Sequence, residues 1–352
     1  MTPRSHSSRS ITTHDVAARA GVSQATVSLV LGGNPRARVA AATRERVLRA
    51  ARDLGYRPNI VARSLVRGRS YTLGVVVPEL SNPFFMDVVD GVQRVAAGAG
   101  YAVLLCDARQ TSPGRHLEAL RGRQVDGIVI DALGAEQLGD DALDGLEVVL
   151  VDEPSERLPG VASDALGAGR LAAEHLLTLG HRKIAFVGPA TDVHTFRMRE
   201  RGFVARLREA GVTLTSDWLR RAQPSTAAGM QAMKALLALK ERPTAVFCAN
   251  DVLALGALKA CLSAGVSVPA AMSIVGCDDI EMASVVTPEL TTIAVPAREL
   301  GARAARLLLL QMSGEQVPAK PARLLPVRLV KRGTTAEPQG TGDRGQGTAG
   351  NG

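Results

Sequence analysis

Residues 11–33 read ITTHDVAARAGVSQATVSLVLGG. Thr12 stands three residues before Asp15, a capping box with Asp in place of Glu, ahead of the apolar set Val16, Ala17 and Ala20. Gly21 then ends the helix at a position suited to positive φ. Ser23 can cap a second helix whose apolar face is Thr26, Val27, Val30 and Leu31. Two short helices joined by a glycine turn make a helix-turn-helix, in which the second helix lies in the major groove and its first residues reach base edges. Gln24, Ala25 and Ser28 fall on that outward face. An ordinary helical hairpin would show the same apolar spacing, so charge has to separate the two. Residues 1–70 hold 13 Arg, no Lys and three acids, hence +10; the whole chain carries +8, which leaves −2 for residues 71–352. A basic excess confined to one small domain fits a polyanion-binding module better than a solvated helical face, which mixes both signs.

The 352 residues suffice for two or three domains with buried cores, and 46% hydrophobic content marks a globular chain. Aromatic content is only 3%, so any aromatic cluster is notable. No run of 18 apolar residues and no apolar segment after the basic start MTPRSHSSRS is present, so neither a membrane span nor a secretory signal is expected. Cys106, Cys248, Cys261 and Cys277 lack CxxC spacing and sit in apolar contexts, as buried thiols of a reducing cytoplasm would. The six His show no HxxxH or HExxH pattern, so no metal site or cofactor is expected.

Working outward from the opening helices, residues 1–10 read as a disordered basic arm. A third helix is expected over about 41–54, with Val47, Leu48, Ala51 and Leu54 apolar and Arg44, Arg46, Arg49 and Arg52 on the other face. The head thus spans 11–57. Residues 58–71 form a link, punctuated by Pro58 and Gly68, whose Ile60, Val61, Leu65 and Val66 are too apolar for an idle linker. From 72 the pattern changes to strands such as TLGVVVP (72–78), DGIVIDAL (126–133), LEVVLVDE (146–153), RKIAFVGP (182–189), TAVFCAND (244–251) and SIVGCDD (273–279), alternating with helices. Such Val/Ile/Leu-rich strands are buried on both faces, so the fold class is an all-α head plus an α/β core of two lobes with parallel sheets. Lobe 1 is expected at about 72–165 plus 296–320 and lobe 2 at about 166–292 plus 321–333. Ligands bind such sheets outside the carboxyl ends of the strands. Asp152, Asp164, Asn250 with Asp251, and Asp278 with Asp279 lie just past those ends. Residues 334–352 lack apolar content and are expected to be a disordered tail without a coiled-coil heptad.

Taken together, ITTHDVAARAGVSQATVSLVL, TRERVLRAARDLGYRPNIVARSL, LGVVVPELSNPFF, VDGIVI, HRKIAFVGP, RPTAVFCANDVLALGAL, SIVGCDD and TPELTTI resemble, in order and over about 11–333, the lac-repressor-type (LacI/GalR) bacterial transcription regulators. The resemblance implies a DNA-binding head, a hinge helix, and a core like a periplasmic sugar-binding protein. It also implies a cytoplasmic homodimer that reads a palindromic double-stranded operator, most often as a repressor, under control of a small effector. The DNA-contacting set it implies is Thr12, Ser23, Gln24, Ala25, Thr26, Ser28 and Leu29 in the head, with Asn59, Arg63, Ser64 and Leu65 in the hinge. Leu65 matches the family's wedge into the minor groove, where an apolar side chain unstacks a base step. Leu29 departs from the family's usual Arg, which removes a donor able to reach a guanine edge. Ala40 replaces the Ser that usually caps the third helix. For the effector the resemblance implies Phe84, Phe85, Asp164, Arg199, Asn250, Asp251 and Asp278. Carboxylate and guanidinium groups bind adjacent hydroxyls or a ring-edge donor–acceptor pair, and the Phe pair offers an apolar face. Asp164 and Asp251 could equally be helix caps. Val193 and His194 depart from relatives that bind purines.

Two other classes compete. Gly167-Ala-Gly169-Arg-Leu-Ala172 matches GxGxxA of a nucleotide-dependent α/β enzyme, but a poor strand precedes it and no acid follows at the next strand end. A solute-binding protein would share the two lobes but would need a signal peptide and have no use for a basic head.

Overall fold

The computed structural model describes residues 11–31, 39–56, 68–109, 113–131, 143, 145–189, 193–319 and 324–338. It divides into two units, Met1–Ser70 and Tyr71–Gly352. In the first, α1 (Thr13–Ala20), α2 (Gln24–Leu31) and α3 (Ala41–Asp53) enclose a small core of Val16, Ala17, Ala20, Val27, Val30, Val47, Ala50 and Ala51. Thr12 and Asp15 form the reciprocal capping box, and Gly21 closes α1 at φ 64° with its N–H on Ala17 O. No side chain caps α3 at Ala40.

The second unit holds two α/β lobes. In lobe 1, β1 (Thr72–Val77), β2 (Ala102–Asp107), β3 (Gly127–Asp131), β4 (Val148–Val151) and β5 (Gly160–Val161) form a parallel sheet ordered β2-β1-β3-β4-β5. Its helices are α4 (Pro83–Gly98), α5 (Pro113–Gly122) and, returning late in the chain, α10 (Ala297–Met312), which packs on α4 and on β3 and β4. Lobe 2 carries α6 (Ala165–Thr178), α7 (His194–Glu209), α8 (Thr226–Leu237) and α9 (Asp251–Ser263). Its strands are β6 (Ile184–Pro189), β7 (Leu219–Ala222), β8 (Ala245–Cys248), β9 (Ser273–Asp278), β10 (Thr291–Ala294) and β11 (Arg328–Val330), ordered β11-β10-β9-β8-β6-β7. β11 runs antiparallel to β10, the one departure from the expected parallel sheets among the described residues. β1, β3, β4, β6, β8 and β9 are buried on both faces almost throughout, which is why their sequences are unbroken apolar runs. In each sheet the order reverses at the first strand, β1 or β6, which opens a crevice at the carboxyl ends.

One expectation needs correction. The segment beginning at 334 is no tail at its start. Thr334 is fully buried with Oγ1 donating to Ile274 O at 2.7 Å, Thr335 Oγ1 lies 3.0 Å from His175 Nε2, and Ala336 N donates to Ser273 Oγ. Apolar content missed this because hydrogen bonds, not apolar side chains, hold the segment. Gly169, in the GxGxxA match, is a packing residue. A Cβ there would overlap the Arg199 carbonyl, so the glycine lets α6 and α7 approach closely.

Candidate DNA-binding head and effector cleft

In the head, the short core leaves one face of α2 outward. Ser23 Oγ accepts from Thr26 N at 3.2 Å and lies 2.9 Å from Thr26 Oγ1, which fixes the start of α2. Gln24 Nε2 donates to Thr13 Oγ1 at 2.7 Å, tying α2 to α1. Gln24, Ala25, Ser28 and Leu29 are exposed, and Leu29 keeps 45% of its surface open despite being apolar. Thr12 is engaged with Asp15 through both its N–H and its hydroxyl. Thr12 and Ser23 thus cap α1 and α2, Thr26 is tied to Ser23, and the exposed face of α2 carries Gln24, Ala25, Ser28 and Leu29. Asn59, Arg63, Ser64 and Leu65 lie outside the described residues.

In the core, a cleft of about 490 Å³ lies at the carboxyl ends of both sheets. Lobe 1 contributes Pro78, Glu79, Ser81 and Asn82 after β1, Phe84 and Phe85 from α4, Arg109 after β2, Asp131 at the end of β3 and Asp152 after β4. Lobe 2 contributes Val193, Thr195, Phe196 and Arg199 around the start of α7, Gln223, Pro224 and Ser225 after β7, and Asp278 at the end of β9. Asn82 caps α4 by accepting from Phe84 N at 3.1 Å, and Pro83 suits the first turn; together they present Phe84 and Phe85 edge-to-face at 5.4 Å. The chain has six Phe. Phe186, Phe203 and Phe247 stack in lobe 2, with ring centroids 5.0–5.7 Å apart, and the other three line the cleft.

Arg199 is 3% exposed and already oriented. Nη1 donates to Ala249 O at 2.7 Å, Nη2 stands 2.9 Å from Asp278 Oδ1, and the guanidinium lies 5.5 Å from the Phe196 ring centre. Its Nε has no hydrogen-bond partner among the described residues. Asp278 sits at φ 123°, a strained conformation for a residue with a Cβ, and Asp279 follows at φ 59°. Burial, opposed by Arg199 and reinforced by Asp251 and Asp152, pushes the Asp278 carboxyl up to about 7. Asp152, at φ 53°, accepts from Ser163 N at 2.6 Å and from Ser163 Oγ at 2.9 Å, so the cleft wall is tied to a segment crossing between the lobes. Burial raises it too, against the Ser163 bonds.

Of the residues expected in the cleft, Phe84, Phe85, Arg199 and Asp278 are there. Asp164, Asn250 and Asp251 are not among its lining residues. Asp164 accepts from Gly167 N at 2.8 Å as the cap of α6 and faces a neighbouring cavity with Glu153, Glu156 and His194. Asn250 is fully buried and caps α9 through Leu253 N at 2.9 Å, with Nδ2 unpartnered among the described residues. Asp251 is fully buried with both oxygens in use, Oδ1 accepting from Thr292 Oγ1 at 2.6 Å and Oδ2 from Ile280 N at 3.0 Å; it props the turn that presents Asp278. Sequence reasoning left out Asp131, Phe196 and Gln223. Asp131 ends a buried strand, so the strand-end rule could have found it; Phe196 carries no such signal.

A helix-turn-helix head on a two-lobed core with a cleft at its strand ends defines a DNA-binding regulator with a small-molecule site. Residues 12–59 match the bacterial regulatory proteins of the lacI family, and residues 173–335 match the periplasmic binding protein-like domain. The chain is 37% identical over 332 residues to the HTH-type transcriptional repressor CytR of Escherichia coli (strain K12), covering 92% of this chain and 96% of that one. It is 33% identical over 332 residues to catabolite control protein A of Priestia megaterium, covering 92% and 99%. The lac repressor dimer bound to operator and the anti-inducer ONPF superposes with a TM-score of 0.83 at 32% identity, over 93% of this chain and 100% of that one. The transcriptional regulator CelR in complex with cellobiose gives 0.70 at 31% identity, over 92% and 99%. The chain belongs to the lacI family of bacterial regulatory proteins.

Proposed function

We propose that this protein is a cytoplasmic transcriptional repressor that binds a palindromic operator as a homodimer, with affinity set by a small effector, a sugar or related metabolite, in the cleft of the core. The observation that carries this is the joining, in one chain, of a basic head with a free α2 face and a cleft walled by a pre-oriented Arg199–Asp278 pair. The operator-bound lac repressor and the cellobiose-bound CelR support the two halves. Dimerisation sets two recognition helices at half-site spacing. Gln24, Ala25, Ser28 and Leu29 read bases, and Leu65 opens the central step of the operator. The effector shifts operator affinity only by its differential affinity for two states of the core, commonly about 1–3 kcal/mol. Sequence selection from random duplexes with the full-length protein should enrich a palindrome. Uniform, salt-sensitive binding alone would refute a specific regulator. Arg199→Ala should keep operator affinity and lose the effector response; an intact response removes Arg199 from the site.

A further inference from the structure

Asp131 is the residue in the cleft whose arrangement nothing above accounts for. It closes β3 in register with Val151 and is fully buried, yet lines the cleft. Neither of its carboxylate oxygens has a hydrogen-bond partner among the described residues. The other three carboxylates of the cleft have partners: Asp152 accepts from Ser163, Glu79 accepts from Ser81 Oγ, and Asp278 Oδ1 lies 2.9 Å from Arg199 Nη2 as an ion pair. A buried polar group without a partner is costly, and a buried carboxylate more so, unless a ligand completes it.

We infer that Asp131 is the specificity-determining contact of the cleft, and that it selects an effector bearing an amino group or amino-bearing ring edge, whose N–H donors fill the open carboxyl. This deepens the effector reading above and rests on it. Three observations favour nitrogen donors over a plain diol. Asp131 shares the cleft with Glu79, Asp152 and Asp278, so hydroxyl oxygens would bring further lone pairs into a carboxylate-rich space, whereas an amine brings donors alone or a compensating charge. Burial and the neighbouring carboxylates hold Asp131 well above the usual carboxylate range, so it can meet an ammonium as the anion or an amidine-like edge as the acid. Phe84, Phe85 and Phe196 supply ring faces that accept either a cation or a planar ring.

The test uses the full-length protein and three matched pairs differing by an amino group: D-glucosamine with D-glucose, adenosine with inosine, and cytidine with uridine. Thermal unfolding and operator binding are read with each. At least one amino member should raise the unfolding temperature and change operator affinity while its partner does not. Asp131→Leu should weaken that binding by about ten- to a hundred-fold, with Asp131→Asn also losing the discrimination. Without ligand, Asp131→Leu should raise the unfolding temperature by about 2–4 °C, since it removes an unpartnered buried carboxyl. A lowered temperature in both ligand-free variants would mean a structural role and overturn the proposal. So would no response to any amino member, or equal responses within every pair. Binding of the neutral members that Arg199→Ala abolishes and Asp131→Leu leaves intact would overturn it too, while the cleft reading would stand.

Discussion

Asp251→Asn asks whether a buried carboxylate beside the cleft serves the fold or the ligand. Both oxygens accept hydrogen bonds, from Thr292 Oγ1 at 2.6 Å and Ile280 N at 3.0 Å. An amide of the same shape can accept from Ile280 N through its oxygen and donate its NH2 to the Thr292 hydroxyl, which can rotate to accept, so the neutral variant keeps both bonds. The pH dependence is the sharper readout. Burial, opposed by the bonds from Thr292 and Ile280, raises Asp251 from 3.8 to about 6. The unfolded chain therefore ionises first, so the stability due to this group is fully present below its unfolded value and is lost as pH rises through the folded one. At about 1.4 kcal/mol per unit, the wild type should lose about 2 kcal/mol relative to the variant between about pH 4.5 and 7.5. Urea unfolding of the full-length protein, followed by far-UV circular dichroism across that range, measures the gap. The two proteins should be close in stability at the acid end, where both side chains are neutral, and the gap should move by about 2 kcal/mol in the variant's favour by the alkaline end. A gap independent of pH would refute the raised carboxyl. Unchanged stability at every pH with lost effector binding would return Asp251 to the ligand.

Three further outcomes follow from the head and the lobe contacts. Thr12→Ala removes the capping box and should cost the head about 1 kcal/mol, seen as faster amide exchange at Val16 and Ala17 and weaker operator binding with effector affinity unchanged. Leu29→Arg places a donor fork on the exposed face of α2, and sequence selection should then show a guanine preference of about 1–3 kcal/mol at one position per half-site; an unchanged operator means that Leu29 faces no base. Gly169→Ala drives a methyl into the Arg199 carbonyl, so thermal unfolding should show a loss of about 1–3 kcal/mol and the effector response should weaken; wild-type behaviour in both would mean that the α6–α7 contact does not position Arg199.

How much of this was legible depends on what each residue's signal is. The head could be read from one stretch because its determinants are local: Thr12 with Asp15, Gly21, Ser23 and the apolar spacing all act within a turn or two. The core strands were legible because burial on both faces demands unbroken apolar runs. The cleft was legible only as a location, the carboxyl ends of strands. Among the acids at or beside those ends are Asp131, Asp152, Asp251 and Asp278, and the sequence presents each as one more carboxylate. What separates them is which donors already reach their oxygens, and those donors come from 11 to 41 residues away: Ser163 for Asp152, Ile280 and Thr292 for Asp251. Asp251, which the resemblance implied as a ligand contact and which could equally cap a helix, is saturated by two distant donors. Asp131 looked like the end of a strand, yet no described donor reaches it. Local pattern locates a carboxylate, whereas long-range topology decides whether it has been consumed by the fold. That is why the unsatisfied acid, rather than the one in the most suggestive motif, is where selectivity for the effector should be sought.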